Sequence, residues 1–193
     1  MPPFRRRNNP IESLIKYFEP IYGKPCWGVK KGFGSFITFE FGNPHLKVEK
    51  VVDSTWYLGS KRIKKTLTTR DVRARGDWHL WIYCCYWNLR LKNVSLTHNE
   101  SSDKKMEEAL RILNGQELIA VKIDRDSHHT LFEFDLGGTL ETAPYEHLDS
   151  DGDPYDCWML FLPDGNVVTY RADGMYHCHP ADQACDKVEW LSC

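Results

Sequence analysis

His177-Cys178-His179, followed by Cys185, is the densest cluster of metal-binding side chains in the sequence. Neutral imidazole and thiolate are the ligand types that zinc takes. Alternate residues of a strand point to one face, so His177 and His179 could ligate together, with Cys185 as the third donor. The spacing matches no standard zinc motif, and no Cys-x-x-Cys accompanies it. The chain is therefore expected to work without a cofactor, zinc being the metal that these residues could hold.

A second group is acidic. Glu141, Glu146, Asp149, Asp151, Asp153 and Asp156 crowd a short stretch. Residues 1–99 carry 18 Lys/Arg against 7 Asp/Glu (+11), and residues 100–193 carry 7 against 20 (−13). A surface so charged suits capture of a basic partner, such as a toxin or nuclease, by electrostatic steering. Asp149-Ser-Asp151-Gly-Asp153 opens like a calcium loop, but Leu160 stands where the bidentate carboxylate belongs. His128-His129 with Asp124, Asp126 and Glu133 offers acid–base groups, but adjacency in sequence does not bring them within reach of a substrate; this stretch reads as a polar hairpin turn. Lys61, Arg62, Lys64, Lys65, Arg70 and Arg73 could touch phosphates, although the acidic half would repel a polyanion, and a solvated basic hairpin is the preferred reading.

Cys84 and Cys85 sit in an apolar run, where burial raises a thiol's pKa and blunts it as a nucleophile. The seven cysteines are read as free thiols of a reducing, cytoplasmic setting. No Walker loop, dinucleotide-binding glycine pattern, Gly-x-Ser-x-Gly or His-Glu-x-x-His occurs. No apolar run approaches the roughly 20 residues of a membrane-spanning helix.

The elements that must carry these groups repeat. Asn9, Pro10 and Glu12 mark a helix start, with Ile11, Leu14, Ile15 and Phe18 on one face and Pro20 as its stop. Ser101 or Ser102 caps a second helix carrying Met106, Ala109, Leu110 and Leu113, ended by Asn114-Gly115. Gly23 precedes Val29-Lys30 as Gly115 precedes Val121-Lys122. Phe39-Glu40-Phe41 then parallels Phe132-Glu133-Phe134, Leu46 parallels Leu140, and Trp78-His-Leu-Trp81 parallels Trp158-Met-Leu-Phe161. The order predicts an α+β fold of two tandem related units, 10–99 (basic) and 100–193 (acidic), after a disordered basic arm at 1–9. Each unit is a mostly antiparallel sheet packed by one helix, and the two can join as one pseudo-symmetric domain. Trp78–Trp87 is apolar on both faces and belongs in a central strand. Ser60–Arg75 should project into solvent.

The stretch Phe132–Leu140, Pro144-Tyr145, Trp158–Gly165, Arg171–Tyr176 and Trp190 resembles a family of uncharacterised bacterial β-rich domains, some of them suspected immunity proteins. The resemblance covers the C-terminal half and implies a toxin-neutralising partner role. With no catalytic signature, the sequence points to a non-catalytic protein-binding module. The other readings are a metal-dependent hydrolase with its site at the junction of the units, and a charge-driven self-associating protein.

Overall fold

The computed structural model describes residues 10–48, 52–57, 64–183 and 189–193, with the strand path alone given for 52–57 and 64–69. The arm expected at 1–9, with the capping Asn9, lies outside the described residues. Helix makes up 13% of the chain and strand 47%, so the protein is nearly all-β rather than α+β. The helices are too short to set the class. α1 (Pro10–Ile15) and α2 (Asp103–Leu110) are one to two turns each, below the roughly 12 residues at which a helix persists unaided. Tertiary burial of Leu14, Met106 and Leu110 holds them down. Each runs on towards a 3-10 turn, Glu19–Ile21 and Arg111–Leu113. Pro20 thus sits inside a helical turn instead of ending one. Ser102 occupies the capping position of α2, but its side chain makes no capping hydrogen bond.

The strands are β1 (Trp27–Lys31), β2 (Ile37–Phe41), β3 (His45–Val48), β4 (Val52–Tyr57), β5 (Lys64–Thr69), β6 (Val72–Arg75), β7 (Trp78–Ile82) and β8 (Cys85–Leu91). There follow β9 (Val94–His98), β10 (Leu118–Ile123), β11 (Thr130–Phe134), β12 (Gly138–Pro144), β13 (Asp156–Phe161), β14 (Asn166–Arg171), β15 (Met175–Pro180) and β16 (Leu191–Ser192). One sheet has seven strands in the order β1-β2-β7-β13-β14-β15-β16, and a second has five in the order β10-β11-β12-β8-β9. Strands β3 and β6, then β4 and β5, pair as a ribbon between β2 and β7.

Each sheet draws on both halves of the chain, so the expected division at residue 99 does not separate two sheets. Each half starts one sheet with its first strands and delivers its closing hairpin to the other. The register repeats as well. Phe39 stands opposite Leu80, and Leu80 opposite Leu160; Phe132 stands opposite Leu140, and Leu140 opposite Leu89. Leu140 therefore corresponds to Leu80, and Leu46 lies on the ribbon. The counterpart of Trp158-x-Leu160 is Trp87-x-Leu89, not Trp78-x-Leu80. The strand expected over Trp78–Trp87 breaks at Tyr83–Cys84, where the chain passes from one sheet to the other. Only its inward residues, Leu80, Ile82, Cys85 and Trp87, are buried; Trp81 and Tyr83 are half-buried and Tyr86 is exposed, so the double-sided cover expected of a central strand is not met.

Phe39, Leu80, Trp158 and Leu160 of the seven-stranded sheet meet Phe132, Phe134, Leu140 and Trp87 of the other in one core. The rings of Phe39 and Phe134 stack at 6.1 Å, and Phe132 meets Trp158 edge-on at 6.4 Å. Burying each such side chain stabilises by about 1.5–3 kcal/mol.

Where the halves meet, hydrogen bonds come in matched pairs. Gly23 N donates to Leu118 O (2.9 Å) and Gly115 N to Cys26 O (2.7 Å). Cys26 N donates to Gln116 O (2.8 Å) and Leu118 N to Lys24 O (3.3 Å). Val29 N donates to Asn114 Oδ1 (3.0 Å) and Val121 N to the Tyr22 hydroxyl (3.2 Å). Pro25 and Glu117 bridge at the centre. This is the reciprocal pattern of a twofold contact, in which residue i meets j and j meets i.

Candidate functional site: the outer face of the seven-stranded sheet

Strand alternation sends Phe39, Leu80 and Leu160 inward, so their neighbours face outward. One outward row runs Glu40, His79, Phe161, Val167, His179, and the next runs Thr38, Trp81, Met159, Thr169, His177. Phe36 and Tyr83 continue the face beyond β2 and β7. The rings form a connected, part-exposed platform. Phe36 lies 4.3 Å from Tyr83, Tyr83 5.3 Å from Trp81, Trp81 6.4 Å from Phe161 and Phe161 5.6 Å from His79, between centroids. Within it, Trp81 Nε1 and Thr38 Oγ1 are buried and find no hydrogen-bond partner among the described residues. Buried polar groups of that kind are uncommon in native proteins.

A charged cluster closes one end. The Glu40 side chain, 3% exposed, lies 2.8 Å from Arg75 and 3.0 Å from His79 Nδ1. It also accepts Gly76 N at 2.9 Å. Burial pushes the Glu40 pKa up, but the hydrogen bonds from His79, Gly76 and Arg75, with the charge of His79, bring it below its ordinary value. Gly76 permits the approach, because a Cβ there would stand 2.4 Å from Phe41 O. Arg75 thereby pins the root of the ribbon to the sheet. Across β3 and β6, His45 stands opposite Arg75 and Lys47 opposite Arg73, while Leu46 faces Ala74 and Val48 faces Val72. The ribbon is thus basic on the side that Arg75 shares with the aromatic face, and apolar on the other, where Leu46 is 72% exposed.

The opposite edge is covered by the chain's last residues. Trp190 packs on His177 at 4.1 Å, and the Arg171 guanidinium lies 4.0 Å over its ring. Burial, then the charges of His179 and Arg171, lower the His177 pKa to about 4. His177 and His179 do share a face, 4.4 Å apart, but His179 Nδ1 lies 2.7 Å from Pro180 O. Cys185 lies outside the described residues. Among the described residues no group of three His, Cys, Asp or Glu could hold a metal ion.

Glu141 is engaged by Arg90 (3.6 Å) and His129 (3.4 Å). Asp149 Oδ1 accepts the backbone N–H of Asp151 and Asp153, both at 2.9 Å. Burial raises Asp156 to about 6, against the pull of Arg171 and with the push of Asp149 and Asp173. Glu146, Asp151 and Asp153 are exposed on the loop before β13, beside Leu148. Of the basic set, Arg73 pairs with Asp71, Arg70 is exposed, Lys64 and Lys65 stand on β5, and Lys61 and Arg62 lie outside the described residues. Asp124 ties the His128–His129 turn through Ser127. Cys85 is held above the ordinary thiol range by its contact with Cys157 and by burial, and Cys84 by burial. No helix among the described residues is long and apolar enough to cross a membrane.

Comparison with protein-family models, curated proteins and solved structures finds no match. The platform residues His79, Trp81 and Phe161, with Glu40 and Arg75, were not singled out by sequence as a site. The available signal was contrast: His79 and Trp81 of β7 stand where β12 has Thr139 and Glu141.

Proposed function

We propose that this chain is a non-catalytic binding module whose contact surface is the outer face of the seven-stranded sheet. We also propose that the two β units arose by duplication with exchanged closing hairpins; the reciprocal hydrogen bonds and repeated register support this. One observation carries the functional reading. The two sheets share a layout, yet their outer faces differ position by position. His79, Trp81, Met159 and Phe161 on one correspond to Thr139, Glu141, Asn88 and Arg90 on the other. The polar face is an ordinary solvated surface, ion-paired through Arg90–Glu141 and Lys122–Glu133. Trp, Tyr, Phe, Met and Arg are the residue types enriched at the centres of binding interfaces. The test is retention of any macromolecule from native lysate by the full chain. Trp81→Arg should lose material that a Glu141→Arg control keeps. Equal retention by both variants, or none by the wild type, refutes the reading.

A second reading is an immunity-type or regulatory partner of a basic protein. Exposure of Glu146, Asp151 and Asp153 beside Leu148 favours it. Here Glu146→Lys with Asp151→Lys should abolish capture of a protein that Trp81→Arg still retains.

A further inference from the structure

We propose that the loop 145–155, with Tyr86, is a docking surface for an arginine-bearing segment of another protein. The proposal rests on the second reading above and names the chemistry by which a basic partner is held. The chain passes between the two sheets twice. From β7 to β8 it crosses through Tyr83 and Cys84 alone, whereas from β12 to β13 it takes the eleven residues 145–155. A crossing of two residues suffices for the fold, and a longer loop on a rigid scaffold is where binding residues collect.

The long crossing gathers aromatic rings. Tyr145 meets Tyr86 at 4.6 Å and 90°, meets Tyr155 at 5.7 Å and 87°, and stacks on His147 at 5.2 Å. His147 meets Tyr155 at 5.5 Å and closes the group. Tyr86 is 42% exposed, His147 and Leu148 are exposed, and Tyr145 and Tyr155 are half-buried. Rings set at right angles offer both edges and faces, and a ring face attracts a cation.

The charges of the loop fit the same ligand. Asp149 is spent on the loop itself, its Oδ1 accepting the N–H of Asp151 and Asp153. Glu146, Asp151 and Asp153 are exposed and pair with no cation among the described residues. Arg171, opposite Asp156 on the neighbouring strand, is taken by Asp173 and the Trp190 ring. A guanidinium lies flat on an aromatic face and forks onto a carboxylate; a lysine ammonium does neither as well. Ring faces beside unpaired carboxylates therefore select arginine over lysine.

The experiment is fluorescence anisotropy of labelled Gly/Ser peptides carrying four arginines, four lysines or four citrullines, titrated with the full chain at low and moderate salt. The arginine peptide should bind at least about fivefold more tightly than the lysine peptide of equal charge, and the citrulline peptide should not bind. Tyr86→Ser should weaken the arginine complex roughly three- to tenfold and narrow its lead over lysine. Glu146→Gln with Asp151→Asn should weaken both charged peptides and lessen their salt dependence. Glu19→Gln with Asp182→Asn removes the same charge elsewhere and should leave both unchanged. All the replaced side chains are exposed, and the ring and carboxylate variants test the surface independently. Absence of arginine-peptide binding at low salt, equal binding of the arginine and lysine peptides, or an equal loss in the Glu19/Asp182 control overturns the proposal. If Glu146→Lys with Asp151→Lys still costs the chain a protein from lysate while arginine and lysine peptides bind alike, the arginine assignment falls and the second reading stands.

Discussion

Replacing Glu40 by Gln changes one atom and should cost the fold more than most surface truncations. The carboxylate lies 2.8 Å from Arg75, takes Gly76 N at 2.9 Å and lies 3.0 Å from His79. An amide offers one acceptor and turns a donor towards Gly76 N or the guanidinium, leaving Arg75 without its counter-charge. Hydrogen bonds to charged groups contribute about 1.5–3 kcal/mol each, and removing one partner of a fully buried ion pair costs about 3–5 kcal/mol. Arg75 is 19% exposed, so water takes up part of the loss, and about 2 kcal/mol is the expected figure. For a chain of this size that is a fall in Tm of roughly 4–8 °C. The sign with pH follows from the lowered pKa. Stability from this carboxylate is present above its unfolded pKa and is lost as pH falls through the folded value. The gap between wild type and Glu40→Gln should therefore be widest near neutrality and close in acid. Urea unfolding at a series of pH values measures it. A gap under about 0.5 kcal/mol at pH 7, or one that does not narrow on acidification, would refute the argument that Glu40 anchors the ribbon as a charge.

Three further outcomes are expected. Gly76→Ala places a Cβ 2.4 Å from Phe41 O and 2.8 Å from Phe41 N, and should destabilise by about 3 kcal/mol or more in thermal melts; a change below 1 kcal/mol would mean that the strand junction gives way easily. Asp156, raised to about 6, favours the fold below its unfolded pKa and loses that contribution as pH rises through 6. Asp156→Asn should thus melt about 2–4 °C higher than wild type above pH 7 and converge with it near pH 4. His177, lowered to about 4, has the opposite sense: its contribution is whole above about pH 6.5 and is lost as pH falls through 4. His177→Leu should flatten the acid side of the Tm–pH curve over that interval, and an unchanged slope would contradict the burial argument.

Local signals were legible where short-range chemistry decides them. The apolar spacing of Leu14 and Phe18, and of Met106 and Leu110, marked the helical segments. The matched Phe-Glu-Phe strands were also readable, because β2 and β11 fill the same place in their sheets. The exchange of closing hairpins was not. Trp78–Trp87 carries no charge or glycine at the point where it breaks, since the crossing residues are held by β13, Tyr83 N donating to Cys157 O and Cys84 N to Asp156 O, and need no glycine turn. Matching Trp78 to Trp158 was the consequence; the register aligns Trp87 with it instead.

The sequence by itself determined that the chain is β-rich and divided in charge, because residue type, alternation and turn chemistry are local properties. The tertiary structure decided which sheet each hairpin joins, that Arg75 returns from the ribbon to Glu40, and that Trp81, Tyr83, Phe36 and Phe161 share one outer face. Those contacts link residues far apart in sequence. Their loop-closure entropy is offset by burial and charge pairing only once the whole core has assembled.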